Sequence, residues 1–228
     1  MTRVHLVTGA GSGMGACLTR SLVDRGDEVW LVARSAERAR ELEQVYAGAR
    51  TLVADLAEPE SLAEQLTELP ERLDSLLHIA GVVDLDRVEV QSVQQVRHQL
   101  DVNLLAPIEL TRLCLPALRA GRGTVVVVNS GAGLNANADW TAYAASKFGV
   151  RAFADGLRAE ESGNGVRVTT VYPSRTATPM QEKVHRQEGR DYDPDRFIQP
   201  ETVAATILHV LDLPVDATLT EITVRPNS

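Results

Sequence analysis

RVHLVTGAGSGMGACLTRSLVDR, residues 3–25, is the stretch that decides the fold. Arg3 to Thr8 is a short run rich in β-branched residues, Gly9, Gly11, Gly13 and Gly15 punctuate the next segment, and Ala16 to Arg25 has helical composition. Strand, glycine turn and helix in that order allow tight turning and close approach of backbone. Free N–H groups at the helix start then attract a pyrophosphate. Glycines alone are a weak signal, and a ligand-free turn is the alternative; the same glycines between a strand and a helix are far more specific.

Working outward, the alternation repeats. Glu28–Ala33 (EVWLVA) reads as a second strand, followed by a helical segment to about Gly48; Arg50–Ala54 is a third strand and Glu60–Leu69 a helix. Asp74–Ile79 is a fourth strand, Ser92–Arg119 a long helix, Gly123–Asn129 (GTVVVVN) a fifth strand, and Trp140–Ser162 a helix. Val166–Tyr172 is a sixth strand, Pro200–Leu211 a helix and Leu219–Val224 a seventh strand. Strands and helices in this rhythm imply an α/β fold: one doubly wound parallel sheet with right-handed crossovers and helices on both faces. The expected order of its seven strands is 3-2-1-4-5-6-7. No repeat, linker or low-complexity segment divides residues 1–228. The polar, charge-mixed stretch from Gln181 to Phe197 is read as a mobile lid with small helices, the lid as a whole covering about residues 178–198.

Bulk numbers narrow the class. A chain of 228 residues, 44% hydrophobic and 24% charged, suits one soluble domain with a full core. The net charge of −8, with no basic run, argues against nucleic acid or an anionic membrane as partner. Cys17 and Cys114 sit in apolar helical segments and are expected as buried reduced thiols. The beginning MTRVHLVTGAG reads as strand and turn, and no apolar stretch approaches the roughly 20 residues of a membrane span, so a cytoplasmic location is expected.

The chemistry is carried by NSGAGLNANADWTAYAASKF, residues 129–148. Tyr143 and Lys147 lie four apart on a helix and so point the same way. A phenol titrates near ~10, and an adjacent ammonium is expected to lower that value. On its own such a pair is an ordinary amphipathic feature. Ser130 closes the fifth strand, placing its hydroxyl at the carboxyl edge of the sheet, where ligands of open α/β sheets bind. Arg34 ends the second strand, where a carboxylate would bond the ribose 2′-hydroxyl of NAD and an arginine accommodates the 2′-phosphate of NADP. A solvated surface arginine is the other reading. Asp55 and Leu56 reach the same edge, where the carboxylate would meet an adenine amine or cap a helix; Ala80 and Gly81 bring small residues to it. Pro107 cannot donate to the Asn103 carbonyl four residues earlier. If that oxygen faces the site, it would hold a water leading toward Lys147. Thr176 and Thr178 are placed to bond a nicotinamide or to cap a turn.

With these residues assembled, the chain resembles the short-chain dehydrogenase/reductase family across almost its whole length. The motifs are TGAGSGMG (Thr8–Gly15), Asp55, HIAG (His78–Gly81), Asn103, Ser130, Tyr143-x-x-x-Lys147 and PSRTAT (Pro173–Thr178). The resemblance implies a single Rossmann domain and reversible hydride transfer between a nicotinamide and a small alcohol or carbonyl compound, with Asn103, Ser130, Tyr143 and Lys147 as catalytic residues. Gly9, Gly13, Gly15, Arg34, Asp55 and Thr176 match cofactor contacts; Ser12, Met14, Leu56, Ala80, Gly81, Tyr143, Lys147, Pro173 and Thr178 complete the candidate cofactor set. NADP(H) is the expected cofactor, with NAD(H) second, no metal is expected, and a homodimer or homotetramer is implied. A catalytically silent NADP(H)-binding sensor or scaffold is the alternative. Three departures stand out: His78-Ile79 for the family's Asn-Asn, Ser174 for a glycine, and Ser12 where many NADP-preferring members carry a basic residue. Expected pocket walls are Ala132–Trp140, Val83–Arg87 and the lid, with Trp140, Met180 and Leu134 making an apolar pocket; Arg175 is expected in a salt bridge or phosphate contact.

Overall fold

The computed structural model describes residues 2–227. Strands β1 (Val4–Thr8), β2 (Glu28–Ala33), β3 (Arg50–Val53), β4 (Ser75–His78), β5 (Thr124–Val128), β6 (Arg167–Pro173) and β7 (Glu221–Val224) form one sheet in the order β3-β2-β1-β4-β5-β6-β7. Every neighbouring pair is parallel. The expected order therefore holds, and the reversal from leftward to rightward winding falls between β1 and β4. That crevice at the carboxyl edge is where such sheets take ligands.

Helices α1 (Gly13–Asp24), α2 (Ala36–Val45), α3 (Leu62–Gln65), α4 (Val93–Leu100), α5 (Ala106–Gly121), α6 (Thr141–Glu161), α7 (Pro179–Gln187) and α8 (Pro200–Leu211) connect the strands. Alternate strand residues face opposite layers. Val7, Leu31, Leu77 and Val126 pack under α1, α2 and α8 with Leu18, Leu42 and Ile207. Leu6, Val32, Leu76 and Val125 pack under α3, α5 and α6 with Leu62, Leu110 and Val150. Each fully buried aliphatic side chain contributes about 1.5–3 kcal/mol, and here both faces of the central strands do so. That is why β5 reads as unbroken valine rather than alternating. Cys114 is buried in the second layer, while Cys17 is only partly buried and packs on the first; the two free thiols lie on opposite sides of the sheet.

Local chemistry sets the helix boundaries. Ser35 accepts from the Arg38 N–H at the start of α2, and Ser92 and Gln95 form a reciprocal capping box on α4. Two expectations need correction. The helix expected over Glu60–Leu69 is a 3₁₀ turn, Pro59–Ser61, plus the four residues of α3. Pro70 disfavours helical geometry at Leu69, and the Gln65 side chain turns back to accept from Asp55 N at 3.0 Å. The long helix from Ser92 is also not uniform: between α4 and α5 it widens into a π turn, Asp101–Leu105, with Ala106 N donating to Asp101 O five residues back. The turn lies just ahead of Pro107 and contains Asn103.

Candidate active site

The loop after β4 and the end of α2 fix the glycine turn. Thr8, the last residue of β1, accepts from both Ile79 N and Ala80 N at 3.1 Å, tying the ends of β1 and β4 together. Gly9 comes next with φ +77°, and a Cβ there would lie 2.7 Å from Ala80 N. At Gly15 a Cβ would lie 2.1 Å from the Gly9 carbonyl oxygen. Neither position accepts another residue. Tyr46, at the end of α2, braces the turn from behind by donating to Ala10 O at 2.9 Å. Ser12, the residue before α1, is extended and makes no side-chain cap, so the first N–H groups of α1 have no side-chain acceptor from it. A turn shaped by close backbone packing and leading into an uncapped helix start fits a dinucleotide's phosphates. Met14, the second residue of α1, lines the cleft.

The remaining candidate cofactor residues divide into free and engaged. Arg34 is exposed and makes no ion pair or hydrogen bond to another side chain among the described residues. Asp55 uses its carboxylate to accept from Ala57 N at 2.9 Å, closing a local turn rather than capping the next helix, and Leu56 packs on the second core layer. Ala80 and Gly81 lie just beyond β4. Pro173 closes β6 beside Val224. Thr176 donates to Ser174 O at 2.9 Å, and Thr178 caps α7 by accepting from Gln181 N at 3.3 Å. Ser174 is not among the residues with positive φ, so a serine at that departure costs no backbone strain. The other departure, His78, is fully buried against the Thr111 hydroxyl, Nε2 to Oγ1 2.8 Å; burial lowers its pKa to about 3, so it is neutral at ordinary pH.

Beside the glycine turn, Tyr143 and Lys147 rise from the first turns of α6 and are 6% and 5% exposed. The lysine nitrogen stands 5.8 Å from the centroid of the Tyr143 ring. Trp140 meets the same ring edge-on at 5.7 Å. Ser130 leaves β5 with its N–H bonded to Asn129 Oδ1 at 2.8 Å, while Asn129 Nδ2 donates to Lys147 O at 3.0 Å. Asn129 thus aligns the serine and the helix together, a role that its place at a strand end does not announce. Burial pushes the Tyr143 phenol up to about 12, with a hydrogen bond from Ser130 pulling the other way. Burial lowers Lys147 to about 8. The expected depression of Tyr143 by Lys147 is not seen. The lysine directs a hydrogen bond to Val128 O at 3.0 Å, and desolvation governs both groups.

Asn103 comes to the same place from the π turn. Its Oδ1 accepts from Val82 N at 2.8 Å, and its Nδ2 donates to Val82 O at 2.9 Å and Ser146 Oγ at 3.0 Å. A Cβ on Gly81 would lie 3.2 Å from that Oδ1 and 3.8 Å from Lys147 Nζ, so the two groups converge on one small residue. One helical turn earlier Gln99, fully buried, holds Asp84 N and Asp84 O at 3.0 and 3.1 Å. No motif or spacing in the chain signals this second clamp.

A cleft of about 810 Å³ opens onto Ser130 and Tyr143. Val83, Leu85, Trp140, Met180 and Val184 supply apolar wall, all of them within the segments expected to line it. Leu134 is not on the wall and is exposed. Nor is the pocket purely apolar: Asp86, Arg87, Asp139, Arg175, Glu188 and Arg190 line it. Arg175 forms a two-pronged pair with Glu188 at 2.6 and 2.8 Å and lies over Trp140. The ends of the segment expected as a lid are held together by pairing of Thr176 with Ile198 and by Ala177 N donating to Ile198 O. Inside it His185, Tyr192 and Phe197 form an aromatic cluster, and Lys183 pairs with Asp84 in the loop after β4.

A family model described as short chain dehydrogenase matches residues 3–189. Among curated proteins, the chain is 32% identical to an L-fucose dehydrogenase of Bos taurus over 206 residues, covering 89% of this chain and 75% of that one. It is 34% identical to the 3-dehydrosphinganine reductase TSC10B of Arabidopsis thaliana over 182 residues, 76% of this chain but only 55% of the relative's length. Among solved structures, the closed form of a serine dehydrogenase complexed with NADP+ is similar with a TM-score of 0.86 and 26% identity, covering 98% and 94% of the two chains.

Proposed function

Because the chain belongs to the short-chain dehydrogenase family, and is thus an oxidoreductase enzyme, we propose that it interconverts a small or medium-sized alcohol and its ketone or aldehyde with NADP(H) as the preferred cofactor. The observation that carries this reading is a buried phenol and a strand-edge hydroxyl lining one cleft, with a buried amine 5.8 Å from the phenol ring. Arg34, exposed and unpaired at the end of β2, supports NADP(H) over NAD(H), and the NADP+ complex of the similar serine dehydrogenase agrees with it. NADPH, when bound, supplies the hydride.

The chain's own residues do the rest. Gly9, Ser12, Gly13 and Gly15 would receive the phosphates and Thr176 and Thr178 the nicotinamide end, with Met14, Leu56, Ala80, Gly81 and Pro173 shaping the groove around them. Ser130 donates to the substrate oxygen. Tyr143 is protonated at neutral pH and gives its proton to that oxygen during reduction, or takes one during oxidation. Lys147 sits one turn away, with an amine near pKa 8 that carries charge at neutral pH and would bond the nicotinamide ribose. Asn103 holds the Val82 segment against this group and is the fourth member of the set. Together, acid-base catalysis and the clamp on developing oxygen charge are worth roughly 10² to 10⁴-fold each.

The whole of residues 1–228 acts as one domain, with residues 178–198 as the substrate lid. Exposed Val93, Leu105, Ile108 and Phe148 on α4, the π turn, α5 and α6 suit a homodimer or homotetramer built on those helices. Among the described residues no helix is long and apolar enough to cross a membrane. The direct test is NADPH oxidation against a panel of ketones, diketones, quinones and aldehydes, with calorimetry of NADPH binding alongside. Binding without turnover across the panel would favour the silent sensor instead.

A further inference from the structure

The amino ends of β5, β6 and β7 lie at the edge of the sheet opposite the cleft, and a second cavity, of about 330 Å³, opens there. Arg122, Arg158 and Arg167 line it with Ser162, Thr218 and Thr220, and among the described residues no carboxylate does. Arg158, near the end of α6, is largely engaged: it donates to Val168 O and Thr220 O at 3.1 Å and pairs with Asp155. Arg167, the first residue of β6, is only half engaged. Its Nη1 serves three carbonyls, those of Leu213, Pro214 and Ala217, at 3.2 to 3.3 Å, while Nε and Nη2 have no acceptor among the described residues. Burial lowers its pKa from the ordinary arginine value, with no carboxylate to offset the lost hydration. Arg122 is exposed and makes no side-chain hydrogen bond or ion pair among the described residues; it lies over Gly165, where a Cβ would come 2.9 Å from its Nε. Three cations thus meet one carboxylate, Asp155, in a chain whose net charge is −8. Gathering them costs Coulomb energy that an anion between them would recover.

We propose that this cavity is a binding site for a phosphate monoester, distinct from the cleft that takes cofactor and substrate. Arg122 and the free edge of Arg167, its Nε and Nη2, would take the phosphate oxygens; planar guanidinium forks suit that geometry, and charge-assisted bonds are stronger than neutral ones. Three positive charges less that of Asp155 leave two, the match for a phosphate dianion. Ser162, Thr218 and Thr220 offer hydroxyls to the same group, and Val166 and Val215 give apolar wall to the organic part. The volume of about 330 Å³ holds more than a phosphate alone and stands at the low end of the roughly 300–1,000 Å³ usual for small-molecule sites.

The site does not depend on the NADP(H) reading and is tested apart from it. Glycerol 3-phosphate, inorganic phosphate and glycerol are titrated by calorimetry into the full chain, wild type and with Arg122→Asn, Arg122→Lys or Arg167→Gln. The expected result is that wild type binds glycerol 3-phosphate with a Kd of about 1 mM or tighter, at least about threefold tighter than inorganic phosphate, and does not bind glycerol. Arg122→Asn, which suits the left-handed backbone there, should weaken the ester about 10-fold or more, and Arg122→Lys should recover part of that loss. Arg167→Gln should weaken it as well; because it also releases three carbonyls and lowers Tm, the Arg122 variants carry the decision. Absence of heat from the ester up to about 10 mM would overturn the proposal. Ester binding that Arg122→Asn and Arg167→Gln leave unchanged would overturn it too, since the phosphate would then sit elsewhere, at the glycine turn for example. Inorganic phosphate binding as tightly as the ester would refute the monoester assignment.

Discussion

Asn103 grips the backbone of Val82 at both ends of its amide, accepting from the N–H at 2.8 Å and donating to the carbonyl at 2.9 Å. Gln99 does the same to Asp84. Four helical residues rise about 6 Å and two extended residues span about 6.6 Å, so side chains one turn apart on α4 and its π turn match alternate residues of the loop. The loop after β4 is thus held in register by a helix as another strand would hold it, and it carries Val83 and Leu85 into the cleft wall.

Asn103→Leu should therefore strand buried backbone groups of Val82 and cost about 1–3 kcal/mol of stability for each one left unpaired. Turnover should fall at least tenfold. Gln99→Leu should lose comparable stability but less turnover, since Gln99 does not meet Gly81 or Lys147. Thermal melts and steady-state kinetics of both variants check this; equal kinetic losses would show that only loop order matters.

Tyr143→Phe removes one oxygen from a packed site. It should lower kcat by at least about 10²-fold while NADPH binding stays within about twofold. Turnover surviving in that variant would mean that another group donates the proton.

Lys147 gives a pH signature. Its folded pKa, about 8, lies below the ordinary lysine value of 10.5, so between those values the unfolded chain binds more protons and stability rises with pH. Tyr143, raised from 10.0 to about 12, works in the opposite sense: between those values the folded chain holds the extra proton and stability falls as pH rises. These two groups together favour a maximum near pH 10. Lys147→Met should raise Tm at pH 7, shrink the gain on going to pH 9.5, and abolish most turnover. An unchanged rise in Tm from pH 7 to 9.5 in the variant would assign that rise to other groups.

Arg34→Asp places a carboxylate at the end of β2 and should shift the kcat/KM ratio toward NADH by at least about tenfold, because the acid repels a 2′-phosphate and accepts from a ribose hydroxyl. An unaltered ratio would remove Arg34 from cofactor selection.

The fold was readable because parallel strands buried on both faces are unbroken apolar runs, as in β5, and because glycines mark the turns that close packing demands, as at Gly9 and Gly15. The residues brought to the cleft were readable for the same reason: Ser130 and Tyr143 occupy a strand end and a first helical turn. What escaped were side chains bonding to distant backbone. Gln99 to Asp84, Tyr46 to Ala10 and Lys147 to Val128 O obey no period in sequence. The π turn escaped because Pro107 announces a missing donor but not how the helix accommodates it. Burial, rather than a neighbouring charge, sets the titration of Tyr143, and how deeply a helix start is covered is a property of the assembled layers.

Thr176 and Ile198 meet at the base of residues 177–197, a segment whose aromatic trio packs within itself. Substitutions among its cleft-facing residues, Met180, Val184 and Gln187, should therefore alter which compounds fit the cleft more than they alter the packing of the seven-stranded sheet beneath.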